Sequence, residues 1–188
     1  LAADEWLVEG NATHKPLPLM DSTERDHIFA GYEQLILHGA GIEIDLDIAG
    51  RVWDRVQEIP HGLTLFEDVL PLLELLKARE LTVGTLTNIG WDIDVILKDL
   101  DLGNYLDFVV TSSEVGVGKP HPAMFLDALE RANVSPDETL MIGDSYRSDV
   151  QGAIGVGIQP FLLDREGVMS VMADCIKIAS LMDILDYI

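Results

Sequence analysis

Apolar positions change their period near Pro60, and the predicted architecture changes with them. Between Asp21 and about Ile59 they recur three and four residues apart, as one face of a helix requires. Ile28, Phe29, Tyr32, Leu35 and Ile36 mark a first helix, which Asp21-Ser22-Thr23-Glu24 can cap and Gly39 and Gly41 interrupt. Leu46, Ala49, Val52, Trp53 and Val56 mark the buried side of a second, from Asp45 to Glu58, and Pro60-His61-Gly62 breaks the chain. Residues 1–20 contain Pro16 and Pro18 and show no sustained period.

Beyond Pro60, helical stretches alternate with short apolar runs. Helices are predicted for Phe66 to about Arg79, Asp92 to Leu100, Pro122 to Ala132 and Asp149 to Gly155. The strands between and after them are Leu81 to Leu86, Phe108 to Val110, Thr139 to Ile142 and Gln159 to Leu163. Strands that are apolar throughout and separated by helices imply a parallel sheet covered on both faces, a three-layer Rossmann-like α/β core. Residues 1–60 are then expected to form a small helical subdomain with an uninterpreted leading segment, and residues 61–188 the core. Chemistry in such sheets gathers at the carboxyl ends of the strands.

Composition narrows the partners. Twelve basic residues against 33 acidic ones give a formal charge of −21, which repels nucleic acid and anionic membrane surfaces at long range. The apolar runs are too short for a membrane helix, which needs roughly 18 to 20 residues. The single cysteine, Cys175, cannot form an internal disulfide, and a free thiol fits a reducing cytoplasm. A homodimer is left open. The chain opens on Leu1 rather than methionine, for which an incompletely recorded N-terminus is the expected explanation.

Three strand ends carry residues suited to one chemistry. In Met141-Ile142-Gly143-Asp144-Ser145-Tyr146-Arg147-Ser148-Asp149 an apolar strand delivers Asp144 at its tip, and Asp149 follows about one turn later. Two converging carboxylates suit magnesium, a hard cation that keeps several waters and takes further contacts from phosphate; the plainer reading is a turn-closing Asp144 and a helix-capping Asp149. Thr87-Asn88 closes another strand, where a hydroxyl and a backbone amide could face an anion, although both residue types also favour turns. Val117-Gly118-Lys119-Pro120-His121-Pro122 fixes one lysine between a glycine and prolines, in a chain poor in cations. Such a lysine can neutralise charge that grows in a transition state.

In the order Thr87, Lys119, Asp144 with Asp149, the chain resembles the haloacid dehalogenase-like superfamily. That family's second, third and fourth motifs are a Thr or Ser at a strand end, a Lys, and a Gly-Asp-x-x-x-x-Asp acidic pair. The likeness runs from about Gly62 to Ile188, is closest over Thr111 to Pro122, and is strongest toward the phosphatase-like branch with REG-2-like and HDHD-type members. It implies that Thr87 and Lys119 act on and hold a phosphoryl group, that Asn88 lines the site, and that Asp144 and Asp149 hold Mg2+. The substrate would be a small phosphorylated molecule. The helices before Pro60 match the cap that many members insert between their first and second motifs.

The family's first motif, an apolar strand followed by Asp-x-Asp-x-Thr, is not in the sequence. Its first Asp attacks phosphorus and its second serves as general acid and base. The nearest string, Ile44-Asp45-Leu46-Asp47, lies in a predicted cap helix about 40 residues before Thr87 and has no strand before it. Residues 1–188 alone are therefore expected to be inactive. In the family that strand lies centrally, between the strands ending at Thr87 and Asp144, and its backbone pairing must be met somehow. Upstream sequence, a partner chain, a surrogate strand near Trp6-Leu7-Val8 or a rearranged strand order would do so. The competing functions are a metal-independent 2-haloacid dehalogenase, which the acidic pair disfavours, and a non-catalytic relative that binds a ligand or partner.

Overall fold

The computed structural model describes residue 6 and residues 17–59, 62–88, 93–169 and 174–188. Helix α1 (Ser22–Gly39) starts where Asp21 accepts from the Glu24 N–H at 2.9 Å and Glu24 accepts in return from the Asp21 N–H at 2.8 Å. Helix α2 (Leu46–Gln57) is capped by Asp45, which accepts from the Ile48 N–H at 2.8 Å. The two pack together through small residues, with Ala30 and Ala49 buried, and through Phe29 and Trp53, whose rings stack with centroids 4.1 Å apart. Asp45 and Asp47 of the Asp-x-Asp string are thus a helix cap and the surface partner of Arg51.

The α/β part runs α3 (Val69–Ala78), β1 (Gly84–Thr87), α4 (Ile93–Asp99), β2 (Phe108–Thr111), α5 (Ser112–Val115), α6 (Pro122–Ala132), β3 (Leu140–Gly143), a π-helical turn (Tyr146–Val150), α7 (Gln151–Val156), β4 (Gln159–Leu163) and β5 (Ile176–Ile178). Every strand pair is parallel, with Thr87 opposite Thr111, Gly143 opposite Leu162, and Leu163 opposite Ile178. β1 begins three residues later than its apolar run. Glu80 takes a positive φ of 58° and the Leu81 N–H reaches back to the Leu76 carbonyl, so Leu81 belongs to the end of α3.

The sheet is in two pieces among the described residues: β1 with β2, and β3 with β4 and β5. β2 and β4 are mostly buried, as their composition predicts. β1 and β3 start exposed and reach only half-burial, and among the described residues each has a single paired neighbour. The pieces share a core: Leu86 of β1 and Met141 of β3 both pack on the cluster of Val110, Met124, Phe125, Leu129, Ala153 and Ile158. A second cluster of Leu72, Phe161, Ile178 and Ile184 lies against the other piece. No described residue bridges β1 and β3 as a strand; of the expected surrogate, Leu7 and Val8 fall outside the described residues. No described helix is long and apolar enough to cross a membrane.

Candidate active site

The carboxyl ends of β1 and β3 are tied together by one chain of hydrogen bonds running through the loop before α6. Asn88, the residue after β1, accepts from the Lys119 N–H with Oδ1 at 2.7 Å and donates from Nδ2 to the Lys119 carbonyl at 3.1 Å. The Lys119 ammonium reaches across to Asp149 Oδ1 at 2.7 Å. Asp149 Oδ2 accepts from the Ser145 N–H at 3.0 Å, on the residue following Asp144. Asn88, Lys119 and Asp149 are therefore in direct contact. Thr87 and Asp144 join them as chain neighbours of Asn88 and Ser145.

Burial makes the Lys119–Asp149 pair distinct from the surface ion pairs. Its side chains are 14% and 4% exposed, whereas Arg51 with Asp47 and Arg55 with Glu58 are mostly in solvent. A charge pair removed from water interacts strongly, and the loss of either partner strands the other. Local backbone geometry delivers Asp149 to this position. The π-helical turn is opened by Ser145, whose Oγ accepts from the Ser148 N–H at 3.1 Å, and the turn swings Asp149 back over Gly143.

Gly143 has to be glycine for that swing: a Cβ there would lie 2.2 Å from Asp149 Oδ2 and 2.4 Å from its Cβ. Gly143→Ala is expected to destabilise the fold by about 1–3 kcal/mol as an overpacking change. The check is a lower urea midpoint at unchanged slope. An unaltered midpoint would mean that Asp149 has room to move aside.

Asp144 differs from Asp149 in its availability. It is exposed at the tip of β3, and its carboxylate makes no hydrogen bond or ion pair with another described residue. Both Asp149 oxygens are engaged, one by an ammonium and one by a backbone N–H, so the expected second magnesium ligand already has partners. Among the described residues no group of three or more His, Cys, Asp or Glu side chains converges as a metal cage. One hard carboxylate still fits magnesium, which commonly takes one or two carboxylates and completes its octahedron with water and substrate phosphate.

Two contributors were not legible as site residues. Ser112 is fully buried and donates from Oγ to the Asn88 carbonyl at 2.9 Å. Gly118 lies so near Asn88 that a Cβ would sit 2.8 Å from Oδ1. Both fall in the Thr111 to Pro122 string, but nothing in their residue types marks them as neighbours of Asn88. His121 caps α6, its Nδ1 accepting from the Ala123 N–H at 3.2 Å.

Comparison with known proteins identifies the family. The family described as haloacid dehalogenase-like hydrolase matches residues 8–157. The chain belongs to that family. The "Haloacid dehalogenase-like hydrolase domain-containing protein 3" of Mus musculus is 36% identical over 104 residues, which are 55% of this chain and 41% of the relative. The "Phosphoserine phosphatase" of Thermus thermophilus is 31% identical over 128 residues, covering 64% of this chain and 51% of that enzyme. The chain thus matches about half or less of the length of these two relatives. Among solved structures, a putative HAD-hydrolase from Bacillus subtilis bound to magnesium superposes with a TM-score of 0.68 at 20% identity. That superposition covers 99% of this chain and 78% of the other, and it identifies the fold.

Proposed function

We propose that these residues form the phosphate- and magnesium-binding part of a phosphatase that acts on a small phosphorylated metabolite. The observation that supports the reading is the Lys119 ammonium, 14% exposed and held at 2.7 Å by Asp149, on a loop bonded to Asn88 beside Thr87, with the Asp144 carboxylate unengaged at the tip of β3. In this reading the Thr87 hydroxyl and the Lys119 ammonium contact phosphoryl oxygens, and Asp144 anchors the cation. Asp149 acts through Lys119. Bound magnesium supplies charge neutralisation at the phosphoryl group. Relatives named as phosphatases and a magnesium-bound structural neighbour support the choice.

The attacking carboxylate in this family comes from Asp-x-Asp-x-Thr, which residues 1–188 do not contain. Residues 1–188 alone are expected to hydrolyse p-nitrophenyl phosphate no faster than background. A polypeptide that also carries an apolar strand ending in Asp-x-Asp-x-Thr is expected to release phosphate with magnesium and to stop when EDTA is added. Halide release from 2-chloropropionate, indifferent to EDTA, would instead identify a dehalogenase. Phosphate binding without turnover of either compound would favour the non-catalytic reading.

A further inference from the structure

We propose that Asn88 and Ser112 are positioning residues that set the Lys119 ammonium. A side-chain amide offers one acceptor and two donor hydrogens. Asn88 uses its oxygen and one N–H on the two sides of the same residue, the N–H and the carbonyl of Lys119. This double bond to the backbone copies the pairing of a strand neighbour and fixes the point from which the lysine stem departs. Gly118 allows the close approach, since a Cβ there would lie 2.8 Å from Asn88 Oδ1.

The amide would be of little use if its own backbone could shift. Ser112 prevents this from the first residue of α5: its hydroxyl is fully buried and donates to the Asn88 carbonyl at 2.9 Å. The β1 tip, the β2 tip and the lysine loop therefore share one set of bonds ending at Lys119. A lysine stem has four carbons and much rotamer freedom, so an ammonium is placed reproducibly only when both ends are held. Here Asn88 holds the backbone end and Asp149 the ammonium end. What Lys119 does once placed rests on the phosphatase reading; the placement does not.

The test reads Lys119 directly, with no substrate. Residues 1–188 are treated with limiting acetic anhydride, and acetylation at Lys119 is measured by peptide mass spectrometry relative to the exposed Lys98. In the unaltered chain Lys119, 14% exposed and ion-paired, is expected to react more slowly than Lys98. Asn88→Ala is expected to raise its relative rate about tenfold, the shift that losing a pair of neutral hydrogen bonds gives. Ser112→Ala is expected to raise it less, and Asn88→Asp, which keeps the acceptor for the Lys119 N–H, falls between. Arg131→Ala serves as the structural control. It gives up the Val109 carbonyl at 2.7 Å and ion pairs with Asp127 at 2.9 Å and Glu114 at 3.7 Å but no bond to Asn88, Ser112, Lys119 or Asp149, so it is expected to lower thermal stability and leave the ratio unchanged. A ratio that stays at the wild-type value in Asn88→Ala, with helical circular dichroism retained, would overturn the proposal. Should Asn88→Ala unfold, Asn88→Asp and Ser112→Ala decide: unchanged ratios in both would also overturn it.

Discussion

Lys119→Ala lowers kcat for an aryl phosphate by about 10²–10³-fold when measured with magnesium in a polypeptide that also carries the first motif, the loss typical of removing one preorganised electrostatic contact to a transition state. The expectation follows from where the ammonium sits. It is 14% exposed, held at 2.7 Å by Asp149 and fixed at its backbone by Asn88, so it cannot relax away as charge develops on the phosphoryl oxygens. Such a contact acts more on kcat than on KM. Asp149→Asn keeps the size and the acceptor but removes the countercharge, and a smaller fall in kcat is expected. Lys119→Ala also leaves the Asp149 carboxylate, 4% exposed, with only the Ser145 N–H. Thermal denaturation must therefore accompany the kinetics, so that lost chemistry is separated from lost fold. A folded Lys119→Ala variant with kcat within tenfold of the parent would remove lysine from the mechanism.

Much of the architecture was legible because helices and strands here follow distinct periods. The boundaries of α6 match the prediction from Pro122 to Ala132, where Pro at the first helical position and an αL Asn133 at the end are strong stop and start signals. β4 likewise matches from Gln159 to Leu163. The short elements were not legible. α5 has four residues and β5 three, too few for any period to appear, and the π-helical turn at Tyr146 has no sequence signature of its own. At the site, residue type and order along the chain pointed to Thr87, Asn88, Lys119, Asp144 and Asp149, but not to their pairing. That Asp149 serves Lys119 while Asp144 stays unengaged depends on Gly143 admitting the carboxylate, a contact across six positions that spacing alone cannot reveal.

The largest stability effect is expected away from this site, at Asp68. Its carboxylate is 9% exposed and accepts four hydrogen bonds: from Arg165 Nη1 at 2.8 Å and Nη2 at 2.9 Å, from Ser180 Oγ at 2.8 Å and from the Leu181 N–H at 2.9 Å. One side chain thus joins the start of α3 to the segment after β4 and to the C-terminal 3-10 turn (Leu181–Asp186), over the cluster of Leu72, Phe161, Ile178 and Ile184. The Arg165 guanidinium holds the carboxyl well below the usual range, with burial opposing and the Leu181 and Ser180 donors assisting. Because the folded value lies below the unfolded one of about 3.9, the stabilisation is fully present above about pH 5 and is lost as pH falls toward the folded value. Asp164, lowered first by the Lys177 ammonium and also by the Met169 and Val168 N–H groups, acts in the same direction. Asp68→Ala is expected to cost about 3 kcal/mol at pH 7, since it leaves a partly buried guanidinium and two further donors unmatched. Urea unfolding of both proteins between pH 7 and pH 3 checks this. The gap between their midpoints should be widest at pH 7 and should narrow below pH 5; a gap under about 1 kcal/mol at pH 7, below the range for a broken buried pair, or one that widens in acid, would contradict it.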